Sequence, residues 1–424
     1  MNGDPILAAF QATRVQSPDW SQRDPEPPLP DLVAQPARLP DPRQIPPRRW
    51  LMGTTAIREY ISLLVAPGGV GKTTYAVTSC LAAATGKKLL GEHIFEPCGA
   101  WLFNLEDPLD EMDRRVAAAM IHHQIAPEDI EGRLFINSGR DRRLVMASFS
   151  SPHDGQGSRI VHPDKEALIR EAKTKGVGLI VVDPFANSHE LDENSNPHMN
   201  AAVRAWAEVA REANCAVFLV HHTRKGTAAG TAGDIEGARG GKALSDGARV
   251  GLTLAAMTVE EAGECGVPLG ERWRHVRLDD GKANLAPRAD RAKWFKLVGI
   301  SLGNGDEMYP NGDNVQAMEP WTPPSAFGEA TVAELNIVLD RIEQGPGGGS
   351  RYTANTRGRS TDRWVGQVLV EELDRTEEQA KTIVKEWLRN GLLVEEDYTD
   401  PEQRKVRKGL RVDFSKRPGT TYAG

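Results

Sequence analysis

Through its middle the chain alternates short, almost wholly apolar runs with longer stretches whose apolar residues recur at helical spacing. The short runs read as strands buried on both faces and the longer stretches as crossover helices. Residues 61–65, 177–183 and 216–222 are the clearest strands. Residues 99–107 form another, ending in acids, and 133–137 a shorter one. Helices are predicted over the Ala-rich 74–85, through Leu109, Met112, Val116 and Met120, and over 165–175 and 197–214. Residues 249–257, 273–278 and 293–301 read as closing strands. The whole is the pattern of a doubly wound, mostly parallel α/β domain.

Both ends of the chain depart from this pattern. Residues 1–45 are rich in Pro, Asp, Gln and Arg and are expected to form a disordered or extended arm. The α/β core is expected over 46–302, and a Gly-, Asn- and Pro-containing linker over 303–330. In the last section, 331–424, residues 331–344 predict a helix with Leu335, Val338, Leu339 and Ile342 on one face. Two further helices are predicted over 364–373 and 376–390, then strands over 391–395 and 404–412. Three helices followed by a basic hairpin is the layout of a winged helix-turn-helix domain.

Composition narrows the picture. With 424 residues the chain is long enough for one large domain with smaller attachments. Its mean hydropathy of -0.45 and the lack of a long apolar run point to a soluble protein without a membrane span. No secretory signal is expected, and Cys80, Cys98, Cys215 and Cys265 lack metal-ligand spacing, as in reduced thiols of a cytoplasmic protein. A net charge of -7 excludes a general polyanion binder, so any DNA contact has to come from local basic patches.

The strand at 61–65 runs into Ala66-Pro-Gly-Gly-Val-Gly-Lys-Thr-Thr74, a phosphate-binding loop with Ala66 where the pattern has its first glycine. Backbone N–H groups of Pro67–Thr74, proline excepted, are expected to cradle a polyphosphate, and Gly68, Gly69 and Gly71 to let the chain curl around it. Val70 sits within that curl. Lys72 supplies a cation for the β- and γ-phosphates, Thr73 a hydroxyl for Mg²⁺, and the following helix a favourable dipole. The implied cofactors are ATP and Mg²⁺.

Asp183 ends a strand and is the candidate for ordering the metal's water shell, the alternative being a turn cap. Glu106 is the candidate general base, with Asp107 as its rival or as a helix cap. His221 and His222 end another strand, and alternation sends one to the core and one to the site. Such a residue either senses the γ-phosphate or is a hydrogen-bonded strand-end histidine. Arg239, beside glycines, is either solvated or an arginine finger, and Lys282 is a second candidate for that task.

These motifs occur in the order phosphate loop, Asn104-Leu-Glu-Asp107, Val181-Val-Asp-Pro184, His221-His-Thr-Arg-Lys225, Ala238-Arg-Gly-Gly-Lys-Ala-Leu-Ser-Asp246 and Gly281-Lys-Ala-Asn284. The combination resembles the RepA-like hexameric replicative helicases, which have a RecA-type core and are kin to the DnaB group. The resemblance covers about 45–302. It implies a homo-oligomeric ring of six with ATP between neighbours. Lys72, Thr73, Glu106, Asp183 and His222 would then serve their own subunit's nucleotide, and Arg239 and Lys282 the next subunit's. Gly241 and Lys242 stand where the family often carries serines. The resemblance implies an ATP-dependent translocase of single-stranded DNA, with Arg224, Lys225, Arg140, Arg142 and Arg143 as pore-loop contacts. The alternative is a DNA-binding ATPase switch for replication initiation, recombination or regulation. The winged helix is expected to bind duplex DNA or a replication protein. The basic run 404–416 could track a phosphate backbone or be a charged edge hairpin.

Overall fold

The strand and helix alternation resolves into a nine-stranded sheet in a computed structural model that describes residues 32–37, 41–150, 159–223, 235, 241–286, 292–323, 330–356, 362–401 and 404–418. The chain divides into two units, Met1–Pro47 and Arg48–Gly424. In the first, a 3-10 turn at Pro42–Gln44 is capped by Asp41. Everything that follows lies in the second.

Its strands begin with β1 (Trp50–Met52), β2 (Ala56–Ile57), β3 (Ile61–Ala66), β4 (Gly99–Asn104) and β5 (Leu134–Ser138). Next come β6 (Ser148–Phe149), β7 (Ile160–Val161), β8 (Val177–Asp183), β9 (Ala216–His222) and β10 (Val250–Ala256). The series ends with β11 (His275–Ala283), β12 (Lys293–Ser301), β13 (Asn314–Trp321), β14 (Leu393–Thr399) and β15 (Val406–Val412). The crossover helices are α1 (Lys72–Thr85), α2 (Leu109–His123), α3 (Pro127–Ile130), α4 (Lys165–Thr174) and α5 (Asn196–Glu212). After them come α6 (Gly241–Gly247), α7 (Val259–Cys265), α8 (Val332–Gln344), α9 (Gly366–Leu373) and α10 (Glu377–Arg389).

The sheet order is β13-β12-β11-β10-β3-β9-β8-β4-β5. From β10 to β5 all pairings are parallel, and β11 to β13 add an antiparallel meander. Alternation along β3 builds a core on each face. Leu64 and Ala66 pack with Tyr75, Leu81 and Phe218 on the α1 side. Ile61, Leu63 and Val65 pack with Ile180, Phe185 and Trp206 on the α5 side. Helix α1 is buried almost all round, and its small residues permit that. The hydroxyls of Thr78, Ser79 and Thr85 return hydrogen bonds to carbonyls one turn back, so no polar atom there is stranded.

Two segments differ from the sequence expectation. Residues expected as a linker, 303–330, contain β13, an eight-residue strand paired along its length with β12. The meander curls back over α1 and α2, because Leu297 and Met318 supply the apolar contacts that close the core around Phe295. The second is Gly241–Gly247, to which the sequence pattern assigned no element and which forms α6.

Residues 332–412 form a third core, with Val338, Trp364, Ile383, Trp387 and Leu410 at its centre. Three helices surround it and the β14–β15 hairpin closes it. The hairpin's basic residues face acids. Asp397 is opposite Lys408, and Arg411 reaches Glu396 at 2.9 Å. The first turn of α10 docks on α7, where Thr376 Oγ1 donates to the Gly263 carbonyl at 3.1 Å.

Inside this module Arg363 and Asp400 form an ion pair at 3.0 Å with side-chain exposures of 12% and 2%. Arg363 also donates to the Arg351 carbonyl at 2.9 Å. Removing the cation leaves the buried carboxylate only the weaker support of Arg407 at 3.9 Å and the Tyr398 hydroxyl at 3.3 Å, at a cost of up to about 3–5 kcal/mol. Arg363→Met is therefore expected to lower the urea midpoint of this module while nucleotide binding by the core persists, and an unmoved midpoint would count against the pair's role.

Candidate phosphate-binding site

The loop after β3 owes its shape to glycines at Gly69 and Gly71, with φ of 78° and 90°. Side chains rarely adopt that left-handed conformation. A Cβ at Gly68 or Gly69 would meet no atom within 4 Å, so this face of the loop is open to a ligand. A Cβ at Gly71 would press on Leu297 at 3.1 Å and Met318 at 3.3 Å. Val70 is the loop's buried anchor.

The curl aims two carbonyls at the Lys72 ammonium. Lys72 Nζ donates to Pro67 O at 2.7 Å and Ala66 O at 3.3 Å, and lies 3.1 Å from His222 Nδ1. The side chain is 6% exposed. Burial pulls its pKa below the usual lysine range, while the charges of Asp183 and Glu106 oppose that shift.

Asp183 is 4% exposed at the end of β8 and accepts a hydrogen bond from Thr73 Oγ1 at 2.7 Å. Burial raises its pKa, and the Thr73 hydrogen bond and Lys72 charge work against the rise. A hydroxyl and a carboxylate side by side are hard oxygen donors that fit Mg²⁺. Among the described residues no group of three or more His, Cys, Asp or Glu could hold a metal.

Glu106 is exposed and lines the same cleft of about 240 Å³. The turn that presents it is built by Asn104, whose Oδ1 accepts from Glu106 N at 3.0 Å and Asp107 N at 2.7 Å. Arg140 Nε donates to the Glu106 carbonyl at 2.7 Å. Asp107, the rival base, faces Arg115 at 3.6 Å. Alternation on β9 sends His221 into the core against the Phe185 ring, with centroids 5.8 Å apart, and His222 to Lys72.

The structure thus brings Gly68, Gly69, Gly71, Lys72, Thr73, Thr74, Glu106, Asp183 and His222 to one cleft. Lys282 is elsewhere. It pairs with Gly251, which is level with Leu63 in the middle of β3, three residues and about 10 Å below Ala66. It does not line the cleft of its own loop, and it donates to the Ser245 carbonyl. Arg142 and Arg143 form ion pairs with Asp164 and Glu190 of their own chain. Arg224, Lys225 and Arg239 lie outside the described residues.

Two cleft residues escaped the sequence reading. Arg115 comes from α2 and is held by Glu111 at 3.0 Å as well as by Asp107. Gln316 comes from β13. Nothing around Arg115 marks it out among the charges of an amphipathic helix. The alternation in Val315-Gln-Ala317 is broken at Met318, so the strand that carries Gln316 left little sign in the sequence.

Residues 24–228 match a protein-family model described as "AAA domain". Among solved structures the chain is similar to the "Crystal structure of the RadB recombinase", at 12% identity and a TM-score of 0.36, over 57% of this chain and 88% of that one. No helix among the described residues is long and apolar enough to cross a membrane. The phosphate loop and the strand-end acids of this α/β core are the features of a P-loop nucleotide-binding site, and the AAA-domain match spans them and supports an ATPase.

Proposed function

We propose that this chain is an ATP-driven DNA translocase of the RepA-like hexameric helicase type, with a RecA-like core and a winged helix at 331–424. The observation that carries the ATPase reading is the convergence of Lys72, Thr73, Asp183, Glu106 and His222 on one cleft at the ends of four neighbouring parallel strands. The order of the loop motifs supports the helicase reading.

In the reading proposed, the ammonium of Lys72 exchanges its carbonyl partners for β- and γ-phosphate oxygens. Thr73 and Asp183 would hold Mg²⁺, directly or through its waters, and that ion would neutralise charge on the phosphates. Glu106 orients a water against the γ-phosphorus and takes its proton as the bond to the β-γ bridging oxygen breaks, giving ADP and phosphate. His222, beside Lys72, registers loss of the γ-phosphate. Arg239 acts from the neighbouring subunit, a contribution worth about 10³–10⁵ in rate, with Lys282 as the second trans candidate. Arg224 and Lys225 on the loop after β9 carry single-stranded DNA.

The second reading, a DNA-bound ATPase switch, is favoured by the docking of α10 on α7, which ties the C-terminal module to the core. The charge balance of the β14–β15 hairpin favours a protein partner over a phosphate backbone for that module.

Steady-state hydrolysis should be stimulated several-fold by single-stranded DNA and lost in Lys72→Ala. Stimulation by duplex alone would favour the switch, and turnover retained by Lys72→Ala would remove the site assignment. Glu106→Gln and Arg239→Ala proteins, each inactive alone, should regain part of the activity when mixed, because some interfaces then pair an intact base with an intact arginine. Absence of recovery would place Arg239 outside its neighbour's site.

The raised pKa of Asp183 has a consequence for stability. Its folded-state pKa lies above the unfolded value, so the group favours the fold below about pH 3.9 and loses that contribution as pH rises through the folded pKa. Asp183→Asn, which keeps the acceptor for Thr73, should therefore melt higher than the parent at neutral pH without nucleotide and equal to it in acid. The same variant should lose Mg²⁺-dependent turnover. An equal or lower melting temperature at neutral pH would refute the buried-charge cost.

A further inference from the structure

Resting on the nucleotide-site reading above, we propose that β13 completes the site and that Gln316 binds the nucleoside end of the bound triphosphate. The family match ends at residue 228, so this wall of the cleft lies outside it.

The cleft has two ends. Lys72 Nζ, His222, Asp183 and Glu106 gather at the ends of the parallel strands, where the phosphates bind. The meander approaches from the other side of the loop, across α1 and α2, with Leu297 and Met318 against Gly71. Gln316 is two residues before Met318 and so shares its face of the strand. A triphosphate gripped by the loop and Lys72 directs its nucleoside away from β8 and β9. In the pose proposed it passes Thr74 to reach Gln316, both of which line the cleft.

The strand is braced on both sides of this residue. Arg114 Nε donates to Asp313 at 3.0 Å on one side. On the other, His123 Nε2 lies 2.9 Å from the Met318 carbonyl and His122 Nε2 lies 3.0 Å from Glu319. These anchors all come from α2, the helix that also carries Arg115. Gln316 is thus presented on a fixed strand, with the preorganisation that a binding contact requires.

The chemistry of the side chain suits the nucleoside. A carboxamide offers two donors and one acceptor without charge. It adds little to a polyphosphate, whose neutralisation falls to Lys72 and Arg115, and it can pair with ribose hydroxyls or the edge of a base.

The test compares ATP with inorganic tripolyphosphate, which has the phosphates and no nucleoside, by titration calorimetry of the full-length protein with Mg²⁺. Gln316→Leu keeps the bulk of an exposed strand residue. It should raise the Kd for ATP about tenfold, the loss of a net hydrogen-bonding contribution, and leave the Kd for tripolyphosphate unchanged. Equal weakening of both ligands would put Gln316 on the phosphates, and unchanged ATP affinity would make it a bystander; either result overturns the proposal. If the parent protein binds neither ligand, the phosphate-site reading itself falls. If it binds both and Gln316→Leu does the same, only the role of β13 falls.

Discussion

The site depends on a buried cation at the end of a buried strand. The Lys72 ammonium has little water around it, and an ammonium in that position is stable only with acceptors in place. The carbonyls of Ala66 and Pro67 and the field of Asp183 and Glu106 provide them. The carbonyls point inward because the chain reverses through Gly69 and Gly71, and the acids are near because β8 and β4 run parallel to β3 and end on the same side of the sheet. Glycine spacing, strand order and charge placement are thus parts of a single compensation. A phosphate that offers better acceptors finds the lysine already desolvated and aimed.

The remainder of the sheet serves to hold those strand ends in register. Strand β9 separates β3 from β8, so His222 and Asp183 flank the loop from adjacent strands. Strand β4 lies beyond β8, and its reach to the cleft is extended by the Asn104 turn, which folds the backbone so that Glu106 can face it. Asn at this position works through its short side chain, which accepts from two successive backbone N–H groups where a longer side chain would not.

Where the information was local, the sequence was sufficient. The apolar run of β3, the glycine loop and the small-residue helix are adjacent in the chain, and each confirms the others' type. Strands ending in Asp183 and His222 were legible for the same reason. What depended on distant partners was not. Residues 314–321 contain a proline and polar positions, and they form a strand because β12 offers a full edge and because Met318 fills a gap beside Gly71. The basic run 404–416 read either as a phosphate-tracking surface or as a charged edge hairpin, and charge counting did not see the acids on β14 that stand by Lys408 and Arg411. The place of Lys282, level with Leu63 and off the cleft of its own phosphate loop, was likewise fixed by strand pairing.

The geometry at Ala66 also bears on how a nucleotide would be felt elsewhere. The carbonyl of Ala66 accepts from Lys72 Nζ at 3.3 Å and from the backbone N–H of Thr223 at 3.2 Å. Thr223 is the residue at which β9 gives way to the segment bearing Arg224 and Lys225. One oxygen therefore joins the phosphate lysine to the root of that segment. Drawing the ammonium toward a γ-phosphate changes what that oxygen accepts, and His222 is the neighbour of both groups. Because β9 is buried along almost its whole length, the strand itself cannot absorb the change by moving into solvent. Thr223 closes the described part of this strand, so a change in what the Ala66 oxygen accepts is felt at the strand's end, within one peptide unit of the site.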